Sequence, residues 1–163
     1  MQQRLGEQHI ADRNAPCILT EIADNVGPFL RAQTLAAVSS RDAAGQVWTS
    51  LLLGAPGCAW APTPTQLRLE EALLKPSPAD VLWHNLREHS EVSVLFIDLG
   101  TRWRYRVNGR AHAVAGAWTV AVEQAFLNCP QYIHKRALAL VPGDAGPSVV
   151  PMTGTNLTPE LLE

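Results

Sequence analysis

The stretch VSVLFIDLGTRWRYRVNGRAHAVA, residues 92–115, decides the fold. Its first seven residues are almost continuously apolar, which predicts a strand buried on both faces. Leu99-Gly100-Thr101 then turns the chain. Residues 102–107 alternate strictly between arginine and an apolar or aromatic residue, the period of a strand. Asn108-Gly109 tolerates positive φ at both positions and predicts a tight hairpin turn, with residues 110–115 as the returning strand. Three antiparallel strands in succession point to a mainly β protein.

The flanking sequence extends that pattern. TLAAVSS (34–40), the turn RDAAG (41–45) and QVWTSLLL (46–53) predict a β-hairpin. GAPGCAWAP (54–62) is too rich in glycine and proline for regular structure and predicts an irregular corner. TQLRLEE (65–71) predicts a short alternating strand. Helices are expected at PCILTEI (16–22), with Pro16 in its first turn, and at FLRAQ (29–33) after an interruption at Gly27-Pro28. A further helix is expected over 77–89, with Ser77 as N-cap, Pro78 at the first helical position and Asp80 near the positive end of the dipole; Val81, Leu82 and Leu86 would be buried. Trp118, Val122 and Phe126 recur four apart, predicting a closing helix over 117–140 that kinks where Pro130 follows Cys129. The expected fold is mainly β with flanking helices, a small barrel.

The composition excludes several classes. The 163 residues suffice for one domain with a real core. A net charge of −2 gives no nucleic-acid footprint. No apolar run approaches the roughly 20 residues that span a bilayer, and the opening MQQRLGEQHIADRN is too polar for a signal peptide. Cys17, Cys58 and Cys129 are an odd number with no C-x-x-C spacing, against a disulfide framework or zinc site and in favour of the reducing cytoplasm.

Arg102, Arg104 and Arg106 fall on one strand face, roughly 7 Å apart, with Trp103, Tyr105 and Val107 on the other. No acidic residue separates Arg102 from Arg110. Such a row is either a solvated face or a phosphate site, since guanidinium binds phosphate as a fork. Trp48 and Ser50 share one face of their strand and Thr49 takes the other; a hydroxyl beside a wide ring suits a phosphate and a flat ligand, or a core tryptophan beside surface hydroxyls. His84 and His89, five apart, share no helix face and predict no metal site. Cys129, with no base next to it, is expected to be a buried structural thiol rather than a nucleophile. Tyr132, His134, Lys135 and Arg136 gather after the proline, toward a ligand cleft, a dimer seam or a helix C-terminus. Single-stranded nucleic acid is disfavoured because aromatic and basic residues alternate between faces.

Several stretches together resemble flavin-nucleotide-binding proteins related to pyridoxamine 5′-phosphate oxidase. They are residues 29–57 with W-x-S-x-x-x-G-x-P-G, residues 92–111, residues 125–136 with N-C-P-x-Y-I-x-x-R, and the opening MQQRLGEQ. The resemblance implies a split β-barrel over residues 1–141, including an N-terminal and a closing helix, followed by a tail over 142–163. It also implies a homodimer binding FMN between subunits, with Trp48, Thr49, Ser50, Arg102, Arg104, Arg106, Tyr132, Lys135 and Arg136 as the cofactor-binding residues. Arg104 stands where the oxidase has a flavin-contacting glutamine. Cys58 and Ala59 replace a phenylalanine and an aliphatic residue of relatives, and Trp103 and Tyr105 replace an arginine and an aliphatic residue. Residues by which the oxidase recognises pyridoxal phosphate have no counterparts. The implied function is a small FMN-dependent oxidoreductase acting on a small molecule; the alternative is a non-catalytic module for another anionic cofactor, such as a different flavin-type nucleotide or haem.

Overall fold

The computed structural model describes residues 8, 9, 12, 15–75, 80–129 and 132–137. Eight antiparallel strands form one sheet among these residues. They are β1 (Leu35–Arg41), β2 (Val47–Gly54), β3 (Ala59–Thr63), β4 (Gln66–Glu70), β5 (Leu74–Lys75), β6 (Glu91–Asp98), β7 (Trp103–Val114) and β8 (Ala117–Leu127). The spatial order is β3-β4-β8-β7-β6-β1-β2-β5. Only a three-residue 3-10 turn, Glu71–Leu73, joins β4 near one edge to β5 at the other. Three residues cannot cross a flat sheet, so the sheet curls until its two edges nearly meet. The Gly54 corner is tucked into that seam: Ala55 N–H donates to Leu73 O at 2.9 Å, and Glu70 N–H to Cys58 O at 2.9 Å.

The inner face is the core. Ala36 and Val38 from β1, Leu52 from β2, Val92, Val94 and Phe96 from β6, and Tyr105, Val107 and Ala111 from β7 are all buried. Two helices plug the barrel: α1 (Gly27–Ala32) buries Leu30, and α2 (Leu82–Glu88) buries Leu82, Asn85 and Leu86. The Asn85 amide, buried with them, donates to Ser40 Oγ at 3.0 Å, and Trp83 stacks on Trp118 at 5.4 Å.

The first hairpin forms as expected, in the register Leu35↔Leu53 to Arg41↔Val47. Other expectations are corrected. Asn108-Gly109 is no turn: β7 runs straight through it as a twelve-residue strand. The pair sits instead at a bulge, where Asn108 faces Gln124 but Gly109 faces Val122. The hairpin turns later, at Gly116 with φ +70°. The closing helix is β8, because a spacing of four is also a multiple of two and Thr119, Val120 and Val122 favour a strand. The bulge leaves Glu123 as an extra residue and reverses the inward parity. Trp118 and Val120 point inward before it and Ala125 after it. Phe126 therefore leaves the stripe of Trp118 and lies opposite Arg106.

Residues 18–22 are not helical. Leu19 pairs with Ala125 in both directions (3.0 and 2.7 Å), and Ile22 N–H donates to Pro64 O at 2.7 Å. Only the 3-10 turn Ala15–Cys17 remains helical there. Gly27-Pro28 opens α1 rather than interrupting it, since the first turn needs no proline N–H. Helix α2 starts at Leu82, and Val81 is exposed. Asp80 Oδ1 accepts from the Leu82 N–H at 2.8 Å, while Ser77 and Pro78 lie outside the described residues. Strand β6 is buried on one face and half-covered on the other, where burial on both was expected. The tail over 142–163 also lies outside the described residues.

The β3–β4 hairpin carries an acid-sensitive lock. Trp60 Nε1 donates to Glu70 Oε1 at 2.7 Å, and Arg68 Nε donates to the same oxygen at 2.7 Å. The Trp60 bond, then Arg68, holds the Glu70 carboxyl below its ordinary 4.5. A carboxylate lowered on folding stabilises above its unfolded pKa and loses that contribution as pH falls through the folded one. Melting temperature is therefore expected to fall as pH drops below the ordinary 4.5, and Trp60→Phe to flatten that part of the profile. Identical slopes in the two proteins would refute the lock.

Candidate functional site

The outer face of the sheet holds the chemistry. Arg104 and Arg106 alternate outward from β7 while Tyr105 and Val107 are buried. Arg106 Nη1 donates to Ser93 Oγ at 3.2 Å. Ser93 lies opposite Ser39 in the β1–β6 register, and Ser39 Oγ shares a hydrogen bond with Thr49 Oγ1 at 3.3 Å. One guanidinium and three hydroxyls thus make a polar row across β7, β6, β1 and β2. Both arginines keep a buried Nε with no hydrogen-bond partner. Neither forms a salt bridge among the described residues, although Arg41, Arg68 and Arg110 all do. Buried N–H groups are normally satisfied, so two orphans on adjacent outward positions mark a place for an acceptor-rich ligand. An anion with several oxygens fits both guanidinium groups and the hydroxyls.

The structure divides the residues expected to bind a cofactor. Thr49, Arg104 and Arg106 share this face. Ser50 does not: it is buried on the core side, opposite Val38, and donates to Asp80 Oδ1 at 2.6 Å. Trp48 shares the Ser50 side and is turned to the hairpin, where its Nε1 donates to Asp42 Oδ2 at 2.8 Å. That bond holds the Asp42 carboxyl below its usual range. Arg102 precedes β7 in a left-handed conformation, φ 67°, and is exposed. It does not continue the row, because the strand begins one residue later.

Arg136 is brought close to one end of the face. Its N–H donates to Leu99 O at 3.0 Å. It lines a cavity of about 350 Å³ with Gln33, Leu35, Ile97, Asp98 and Gly100, and Ile97 lies opposite Arg104. Asp98 is occupied by the turn below it; the Thr101 hydroxyl, then the Gly100 and Thr101 N–H groups, keep its carboxyl below the usual range. Lys135 is exposed, and Tyr132 is 92% exposed with φ 68°. Cys129 is exposed rather than buried. Ser39 and Ser93 were not singled out by sequence reasoning; their outward parity on β1 and β6 is the signal that could have found them.

Residues 22–152 match the family model of pyridoxamine 5′-phosphate oxidase. The chain belongs to that family. Its fold is similar to HupZ of Group A Streptococcus, with a TM-score of 0.52 at 16% identity, covering 71% of this chain and 99% of HupZ. A single-residue variant of HupZ gives 0.50 at 17% identity, covering 66% and 99%. A candidate pyridoxamine 5′-phosphate oxidase from Lactobacillus delbrueckii gives 0.46 at 16% identity, covering 66% and 95%. No curated protein matches the chain. The curled, incompletely closed sheet of this family member is a split β-barrel. Among the described residues no group of three or more His, Cys, Asp or Glu is placed to hold a metal ion, and no helix is long and apolar enough to cross a membrane.

Proposed function

We propose that this protein binds FMN, with the phosphate on the Arg104–Arg106 face, and serves as a small flavin-dependent oxidoreductase for a small-molecule substrate. The observation that supports this is the pair of buried, unpartnered arginine Nε atoms, with Arg106 bonded to Ser93 at the end of the Ser93–Ser39–Thr49 hydroxyl row. Flavin supplies the redox chemistry when bound, and the protein supplies orientation and charge. Arg106, with the hydroxyl row, would hold the phosphate. Arg104 would place a fixed positive charge where a reduced flavin gains negative charge. Arg136 would close the Arg104 end.

The site is proposed to work in a homodimer. Val47, Leu51 and Leu53 are 74%, 64% and 54% exposed on the same outer face, beside half-buried Leu35, Ala37, Leu95 and Ile97. A contiguous apolar strip of this kind asks for a partner, and a symmetric one covers the strip on both chains. Cys17 and Cys129 lie at the surface, and such exposed cysteines suit a reducing cytoplasm.

Titration with FMN tests the reading. Binding to the protein is expected to quench flavin fluorescence, the protein freed of unbound flavin is expected to keep the bands at about 370 and 450 nm, and light scattering is expected to give twice the 17.7 kDa of one chain. Absence of FMN binding at micromolar concentration would refute the cofactor assignment. A monomer with flavin bound would refute the dimer.

A further inference from the structure

The unsatisfied buried atoms on the outer face are not all donors. Asn108 Oδ1 and Asn128 Oδ1 are also buried without a partner. Together with Arg104 Nε and Arg106 Nε they account for four of the five such atoms among the described residues. Three of the four belong to alternate residues of β7, and the fourth to the residue just after β8. Asn128 N–H donates to Arg104 O at 3.0 Å, which sets Asn128 beside Arg104. Phe126 lies opposite Arg106, and Gln124 opposite Asn108. The Asn108 amide is held by Gln124, its Nδ2 donating to Gln124 Oε1 at 2.9 Å. From Arg104 to Asn108 the strip is roughly 13 Å long by strand geometry, with the half-buried Phe126 ring in the middle.

A phosphate explains the two arginines and not the two asparagines. An anion offers only acceptors, and a buried amide oxygen needs a donor. At the Arg104 end, one orphan donor on β7 and one orphan acceptor just past the end of β8 stand side by side. That pairing is complementary to a carbonyl next to an N–H, the edge of a lactam or imide in a planar heterocycle. We infer that Arg104 and Asn128 together read a lactam edge, with Arg104 donating to its carbonyl and Asn128 Oδ1 accepting from its N–H. The heterocycle rests along Phe126. This deepens the FMN reading and depends on it, because the flavin pyrimidine ring carries an imide of this kind. Arg104 acts here as half of a donor–acceptor pair as well as a charge, and its partner is a residue outside the barrel strands.

The test compares FMN with 3-methyl-FMN, which keeps the phosphate and both carbonyls and lacks the imide N–H. Wild type is expected to bind FMN about tenfold more tightly than the methylated flavin, the value of one hydrogen bond. Asn128→Ala is expected to bind both flavins alike, at the level wild type shows for the methylated one. Its melting temperature without flavin should be unchanged or raised, since the substitution removes an unsatisfied buried acceptor; a purely structural asparagine would lower it. Equal binding of the two flavins by wild type overturns the lactam assignment and leaves FMN binding intact. The same holds if Asn128→Ala keeps the tenfold preference. Binding of neither flavin overturns the FMN reading and this inference with it.

Discussion

Gly109→Ala is expected to cost about 3 kcal/mol or more of folding stability. A Cβ built on Gly109 would stand 1.9 Å from Ala121 O, 2.9 Å from Ala121 C and 3.2 Å from Val120 Cγ1. The first two are backbone atoms of β8, so no side-chain rotation relieves the clash. Moving Ala121 means breaking the ladder on the Arg110↔Ala121 side of the bulge. Gly116→Ala makes the useful comparison. It has φ +70° but nothing within 4 Å of the new Cβ, so only the left-handed strain of about 1–2 kcal/mol applies. Urea denaturation of both variants separates the two mechanisms. A Gly109→Ala protein within 1 kcal/mol of wild type would show that β8 can move freely at the bulge. The consequence reaches the site, because the bulge reverses the parity of β8 and places Phe126 and Asn128 alongside the arginines.

The first hairpin, the alternation of residues 102–107 and the short strand of residues 66–70 were legible because each is local: turn chemistry and period two fix them within a few residues. The reading failed where one pattern serves two structures. Asn-Gly favours a turn and also suits a bulge, and only the opposing strand decides between them. Trp118, Val122 and Phe126 recur at a spacing that fits helix and strand alike, and the bulge then splits the three between opposite faces. PCILTEI has a helical start, yet its backbone polar groups are satisfied by Ala125 and Pro64, more than 40 residues away. For the site, parity correctly set Arg104 and Arg106 on one face and divided Thr49 from Ser50. It did not say which hydroxyl faces the arginines, because that depends on which side of β2 meets the core. Asn128 stood in the sequence only as the first residue of N-C-P-x-Y-I-x-x-R, with no role of its own; its significance comes from an unsatisfied oxygen beside Arg104.

Arg106→Ala is expected to weaken FMN binding by about 1.5–3 kcal/mol, ten- to more than a hundredfold, if it removes a charge-assisted contact with the phosphate. Arg106 is the candidate because its orientation is already fixed by Ser93, at 3.2 Å, while its buried Nε has no partner. Arg104→Ala is expected to fall in the same range for FMN. The two variants should separate when riboflavin, which has no phosphate, is titrated in place of FMN. Loss of Arg106 should barely alter riboflavin affinity, and loss of Arg104 should still reduce it. Ser50→Ala supplies the control that the geometry demands. Its hydroxyl is committed to Asp80 at 2.6 Å on the core side, and Asp80 Oδ1 also accepts from the Leu82 N–H that opens α2. That substitution should lower stability by about 1 kcal/mol and leave FMN affinity unchanged. Thr49→Val, on the arginine face, should do the reverse. If Ser50→Ala weakens FMN as strongly as Arg106→Ala, the phosphate lies on the core side of β2, and the outer-face site is wrong.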